Sequence, residues 1–145
     1  MKSGLSIIDP TAEIGDDAII RPYAVIGSHC IIGDRTLIGY YTTIGDRTKL
    51  GDDCLVANNA FVECDTLIGD RVYILSMCVL SMCTIEDDVF IAPGVMTSDA
   101  KYFLWGRTTR REFGIEEPHF DKFLIRRGAR IGSGAVIVAG VTIGK

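Results

Sequence analysis

From Ile8 to Leu80 every sixth residue is aliphatic, running through Ile14, Ile20 and Ile26 to Val62, Ile68 and Ile74. A helix spaces apolar residues by three and four and a half-buried strand alternates them, so a strict period of six marks a repeat architecture. Four residues after each aliphatic stands a small side chain, from Ala12, Ala18, Ala24 and Cys30 to Cys78 and Thr84. Each hexad is therefore expected to supply one large and one small inward residue. Glycine often follows the aliphatic, as at Gly15, Gly27, Gly33, Gly39, Gly45, Gly51 and Gly69, where a tight turn calls for a residue that tolerates positive φ.

These registered hexads resemble the hexapeptide-repeat family, whose fold is a left-handed parallel β-helix in which three hexads make one triangular coil. The resemblance implies an all-β solenoid with one long loop excursion. The hand comes from the resemblance, because parallel crossovers are otherwise right-handed.

With 145 residues the chain is expected to form one β-helix domain, 1–145. Its apolar residues are spread at period six with no run long enough to cross a bilayer, and the N-terminus lacks an apolar signal core, so a cytoplasmic protein is expected. Five cysteines in no metal spacing read as small buried hydrophobes, with Cys30, Cys54, Cys78 and Cys83 at the small inward position; no metal is expected. The net charge of −4 argues against nucleic acid as a partner. Residues 101–130 nevertheless hold eight basic and four acidic side chains, so this segment is +4 and the remainder −8. A local basic segment on an acidic protein suits a small phosphorylated ligand, or is a solvated loop.

Stacking the chain at an offset of eighteen residues lets columns be read, with vertical neighbours about 4.8 Å apart. Asp17, Arg35, Asp53 and Arg71 form an alternating ladder in which each charge should sit between two opposite ones. Beside it run Asp16, Asp34, Asp52 and Asp70, each expected to cap its own turn amide. Elsewhere the glycine disappears at Ala57 and Glu63, and the column Tyr23, Tyr41, Asn59 turns from aromatic to amide. Asn58 and Asn59 suit a turn as readily as a site; a carboxylate at Glu63 has less structural excuse.

Between Cys78 and Ile85 the period slips by one, and the slip should be absorbed at a turn, leaving Asp87 and Asp88 above Asp70 and Arg71. Met1 to Ser6 read as a lead-in strand covering the first coil. From Ser98 to Phe123 the pattern stops, returning at Ile125, Ile131, Ile137 and Ile143. This insertion, 98–123, is rich in aromatic residues and is expected to pack on a neighbouring subunit. It leaves from the column of Gly27, Gly45 and Glu63, about two coils above Glu63. The sequence reaches Lys145 in mid-coil, so a continuation or a partner is expected to cover that end.

Thr84–Asp99 and Arg127–Gly144 flank the excursion and resemble the corresponding segments of bacterial sugar N-acetyltransferases of the hexapeptide class. That resemblance implies a homotrimer, with acetyl-CoA as acyl donor in the groove between adjacent prisms and an amino sugar or sugar nucleotide as acceptor. It makes Arg126, Arg127 and Arg130 candidates for the CoA phosphates, and backbone groups near Ala139 and Gly140 candidates for the pantetheine amides. Asn59 and Glu63 would position the amine, with Asp99 or His119 assisting its proton. Asp99 stands where several sugar O-acetyltransferases carry histidine, which leaves N- versus O-transfer open. His29, in a column with Arg47 and Asp65, reads as a surface residue. Two other classes stay open: a non-catalytic assembly or regulatory module, and a zinc carbonic anhydrase-like protein, for which two histidines are one short of a ligand set.

Overall fold

The computed structural model describes residues 4–98 and 122–144. All twenty strands among the described residues are short, and each pairs in parallel with a strand three places away along the chain, so the coils stack into a three-sided column. Face A consists of β3 (Ile19–Ile20), β6 (Leu37–Ile38), β9 (Leu55–Val56), β12 (Tyr73–Ile74), β15 (Phe90–Ile91) and β18 (Arg130–Ile131). Face B consists of β1 (Ile7–Ile8), β4 (Val25–Ile26), β7 (Thr43–Ile44), β10 (Phe61–Val62), β13 (Val79–Leu80), β16 (Met96–Thr97) and β19 (Val136–Ile137). Face C consists of β2 (Glu13–Ile14), β5 (Ile31–Ile32), β8 (Lys49–Leu50), β11 (Leu67–Ile68), β14 (Cys83–Ile85), β17 (Phe123–Ile125) and β20 (Thr142–Ile143). The second residue of a two-residue strand points inward and the first outward, which converts the period of six into one buried aliphatic per face per coil.

Corner 1 joins face B to face C, corner 2 joins C to A, and corner 3 joins A to B. The third residue of a corner carries the left-handed conformation: Asp17, Arg35, Asp53, Arg71 and Asp88 on corner 2, Tyr23, Tyr41, Asn59 and Met77 on corner 3. The glycines that follow the aliphatics are therefore not the positive-φ residues. They are required by close approach: a Cβ on Gly45 would stand 2.6 Å from the Cys64 amide nitrogen, and one on Gly39 would stand 2.7 Å from that of Asn58. Glycine takes over the left-handed position only in the upper coils, at Gly94, Gly128, Gly134 and Gly140.

Inside the column, small residues tie coil to corner. The hydroxyls of Thr36, Thr42 and Thr48 donate to the carbonyls of Gly51, Ala57 and Glu63, at 2.9, 2.6 and 2.9 Å. The thiols of Cys30, Cys54 and Cys78 donate likewise to Gly45, Gly69 and Ala92. All five cysteines are free thiols, and the four at inward positions are buried. The slip falls at corner 1, where Ser81 and Met82 stand in place of the three residues that elsewhere precede the small inward one. Cys83 takes the inward position there, with Thr84 partly exposed, so Thr84 is not the small core residue its spacing suggests. By the count that serves the other threonines, Thr66 would donate to residue 81. Next to the shortened corner that bond is not made, and among the described residues the Thr66 hydroxyl is the buried side-chain polar atom left without a partner.

Gly4 and Leu5 form a turn rather than a lead-in strand: the Leu5 carbonyl accepts from the Tyr23 amide at 3.2 Å, which makes Leu5 one more step of corner 3. Phe123, expected to end the excursion, instead heads β17 and is fully buried opposite Cys83. It occupies the small inward column. No helix among the described residues is long and apolar enough to cross a membrane.

Candidate active site

Corner 2 shows what the charged columns do. Each carboxylate of Asp34, Asp52, Asp70 and Asp87 accepts the backbone N–H of the aspartate one coil below, at 2.8 to 3.0 Å. The bond thus runs between coils and not within one turn. Beside them Arg35 closes a two-pronged pair on Asp53 (2.6 and 2.8 Å), and Arg71 pairs with Asp88 at 2.7 Å. Both guanidiniums reach up to the next coil, so the ladder is a set of directed pairs. Arg127 comes down onto Asp88 from above at 2.8 Å, and hydrogen bonds from Arg71 and then Arg127 hold that carboxyl down to about 2. Asp87 and Asp88 do stand above Asp70 and Arg71 despite the slip.

On corner 3, Tyr23 and Tyr41 stack with ring centres 5.0 Å apart and planes 9° from parallel. Asn59 continues that column, exposed, at φ 56°, its amide bonded to the Tyr40 carbonyl at 2.9 Å. Its neighbour Asn58 serves the backbone, because its side-chain oxygen accepts the Tyr40 N–H at 3.0 Å, as the aspartates do on corner 2.

Glu63 opens corner 1 directly after β10, and its carbonyl receives the Thr48 hydroxyl. Strands β10, β13 and β16 are consecutive on face B, which places Ser98 on the same corner two coils above Glu63. Asn59 and Glu63 flank β10 from opposite sides. Four residues of extended chain, roughly 13 Å, separate them, and they bound one face rather than grip one atom. Ser81 and Thr97 fill the shortened corner between Glu63 and Ser98: the Thr97 hydroxyl accepts the Ser81 N–H at 2.7 Å, and the Ser81 hydroxyl donates to the Thr97 carbonyl at 3.3 Å. The sequence signals this pair only through the slip. Burial pushes the Cys83 thiol behind them up to about 12, with the Glu63 charge adding to the shift, so it is no nucleophile near neutral pH. His29 lies low on corner 1, its amide bonded to the Thr11 hydroxyl, and Arg47 with Asp65 forms an ion pair in the same column at 2.7 Å. Asp99 and His119 lie outside the described residues.

The arginines gather at the upper end of corner 2. Arg126 is exposed, and its guanidinium has no partner among the described residues. Arg127 is committed to Asp88, and its amide donates to the Glu86 carboxylate at 2.7 Å. One terminal nitrogen of Arg130, on face A, donates to the carbonyls of Asp88, Gly128 and Ala129. Ala139 and Gly140 lie on corner 1 in the last coil, across face C from Arg126. Among the described residues no group of three His, Cys, Asp or Glu side chains is placed to hold a metal.

A family model described as bacterial transferase hexapeptide (six repeats) matches residues 11–46, and the coils continue the same hexad on both sides. The fold is that of a parallel β-helix built on hexapeptide repeats. This β-helix is similar to the acetyltransferase domain of PglB from Neisseria gonorrhoeae FA1090, at 18% identity and a TM-score of 0.65, over 66% of this chain and 47% of that one. The same domain in complex with acetyl coenzyme A matches over 97% of this chain and 52% of that one, at 16% identity and a TM-score of 0.58. WeeI from Acinetobacter baumannii AYE matches at 20% identity and a TM-score of 0.51, over 93% and 50%. The β-helix spans about half the length of these solved structures. At such identities the likeness is one of fold.

Proposed function

We propose that this β-helix is an acetyl-CoA-dependent acyltransferase acting on an amino sugar nucleotide in the cytoplasm, as a homotrimer with acetyl-CoA between adjacent prisms. The observation that carries the reading is Glu63, a carboxylate where the coils below hold Gly27 and Gly45, on the same corner as Ser98 where the hexads break off. The fold likeness to a domain solved with acetyl coenzyme A and the basic upper end of corner 2 support it.

In this reaction a neutral amine attacks the thioester carbonyl carbon, the C–S bond breaks, CoA leaves as the thiol, and the amine gives up one proton. A carboxylate such as Glu63 accepts a hydrogen bond from the amine and fixes its approach, Asn59 orients the sugar from the other side of the face, and Asp99 or His119 takes the proton. Backbone N–H groups near Ala139 and Gly140 bind the pantetheine arm, while Arg126, whose guanidinium has no partner among the described residues, meets phosphate with two parallel bonds.

Thiol release from acetyl-CoA across a panel of amino sugar nucleotides tests the reading. Turnover with at least one acceptor is expected, with Glu63→Gln lowering kcat/KM by about 10- to 100-fold. No turnover by the full-length protein with any acceptor overturns it. A second reading, a non-catalytic assembly module, is favoured by the structural commitments of Arg127 and Arg130. Calorimetric titration with CoA separates the two, since a non-catalytic module gives no heat.

A further inference from the structure

Along corner 1 the first residue of each corner closes a backbone hydrogen bond onto the coil above. The amides of Gly27, Gly45 and Glu63 donate to the carbonyls of Ile44, Val62 and Leu80, each at 2.8 Å. The next bond in that column breaks the pattern. The Ser81 N–H goes to the Thr97 hydroxyl at 2.7 Å, and the Thr97 carbonyl accepts from the Ser81 hydroxyl at 3.3 Å instead. Two side chains have taken the place of one backbone bond. Strands β13 and β16 accordingly share one register pair, Val79↔Met96, where β10 and β13 share two. The change is confined to the end of β16 that leads into Ser98, because on the other side the Val79 amide still reaches the Val95 carbonyl at 3.0 Å. Ser98 itself is back in the ordinary pattern, its amide on the Ile137 carbonyl at 2.9 Å.

The core does not ask for either hydroxyl. Thr97 stands in the inward column of face B that otherwise reads Ile8, Ile26, Ile44, Val62, Leu80 and Ile137, and Ser81 stands above Gly27, Gly45 and Glu63. Both are buried, at 7% and 5% exposure, so each hydroxyl costs free energy unless it is bonded. Valine has the shape of threonine, and with it the regular backbone bond would be open to the Ser81 amide.

We infer that Ser81 and Thr97 are positioning residues for the acyl transfer proposed above, on which their kinetic role rests: the inserted hydroxyls hold the Ser98 end of β16 off the coil below and so set its height over Glu63. A direct bond brings amide nitrogen and carbonyl oxygen to about 2.9 Å, and a hydroxyl standing between them from each side keeps them from meeting. Glu63, Ser81 and Ser98 follow one another up corner 1, with the exchanged bonds tying Ser81 to the residue before Ser98. Ser98 is one residue before Asp99 in the sequence, so its height fixes the starting point of the segment to which the proton transfer is assigned.

Crystal structures, thermal melts and steady-state kinetics of the full-length protein test this. The Ser81→Gly/Thr97→Val double variant gives the corner the residue types of Gly45 and Val62. The bond between positions 81 and 97 should then close directly through the backbone, and Ser98 should settle toward the coil below. Measured per folded molecule, kcat should fall by about 10- to 100-fold with the KM for acetyl-CoA unchanged. Should the double variant fail to fold, Thr97→Val alone carries the same test, since it already deletes the acceptor of the Ser81 amide. Thr97→Ser, which keeps the hydroxyl, should retain most of the wild-type kcat. Thr36→Val removes a buried hydroxyl that likewise donates to a carbonyl (Gly51, 2.9 Å) and accepts an amide (Cys54, 3.0 Å), but on corner 2; it should lower the melting temperature and leave kcat alone. Wild-type kcat in a variant whose Ser98 has moved, or a Ser98 that stays where it is without the hydroxyls, overturns the inference. A wild type that turns over no acceptor removes the acyltransferase reading and the kinetic role with it, while the crystal structures still decide whether the hydroxyls displace the strand.

Discussion

Corners 2 and 3 follow one backbone path with different surfaces. The third residue of the corner sits at φ 54° to 60° from Asp17 to Asp88 on corner 2 and at 56° to 64° from Tyr23 to Met77 on corner 3. Both corners use a side-chain oxygen to hold an amide of the coil below: Asp34, Asp52, Asp70 and Asp87 on one, Asn58 on the other. What differs is the outward residue, Asp or Arg on corner 2 and Tyr, Asn or Met on corner 3. Since several unlike side chains satisfy the same left-handed step, the fold does not select among them; what lies outside the corner does.

The sharpest way to break that comparison is at the close approaches. Gly39→Ala on corner 3 and Gly51→Ala on corner 2 would each drive a Cβ to 2.7 Å from backbone of the next coil. Each should lose about 2–3 kcal/mol in urea denaturation, and nearly the same amount if the path is shared. Gly128→Ala, with nothing within 4 Å of its Cβ, should cost only the left-handed strain of about 1–2 kcal/mol. Next come the inter-coil acceptors: Asn58→Ala should lose about 1 kcal/mol, and Asn58→Asp should keep most of it, because a carboxylate oxygen accepts the Tyr40 N–H equally well.

The smallest effect separates the corners by charge. Asp88 and Asp53 on corner 2 are depressed by hydrogen bonds from arginine, so their contribution to stability is complete above the ordinary carboxylate range near pH 4 and is lost as pH falls toward 2. Melting temperature should decline over that interval, and Asp88→Asn should flatten the decline. Tyr41→Phe on corner 3 should leave the profile unchanged.

The hexad makes the coils, the columns and the inward cysteines legible, and places the slip at a turn. It misassigns Gly15 and its fellows, because one glycine per hexad suits either positive φ or close packing, and only coordinates distinguish them. Thr84 is misplaced because a fixed count runs on past a deletion, whereas the chain restarts its inward position at Cys83. The inward path of Phe123 is not readable from its aromatic neighbours, since the small-residue column gives no hint that one coil holds a ring. At the candidate site the sequence singles out Glu63 through its missing glycine, but a linear spacing of four does not reveal that a whole strand keeps Asn59 and Glu63 apart.

The buried Phe123 has a consequence for chain integrity. The strands from β17 onward are held by hydrogen bonds to β14, β15 and β16, and none of those bonds passes through residues 99–121. A protease cut in that stretch should therefore yield two fragments that stay assembled under native conditions and part only in denaturant, with the phenylalanine ring acting as the latch.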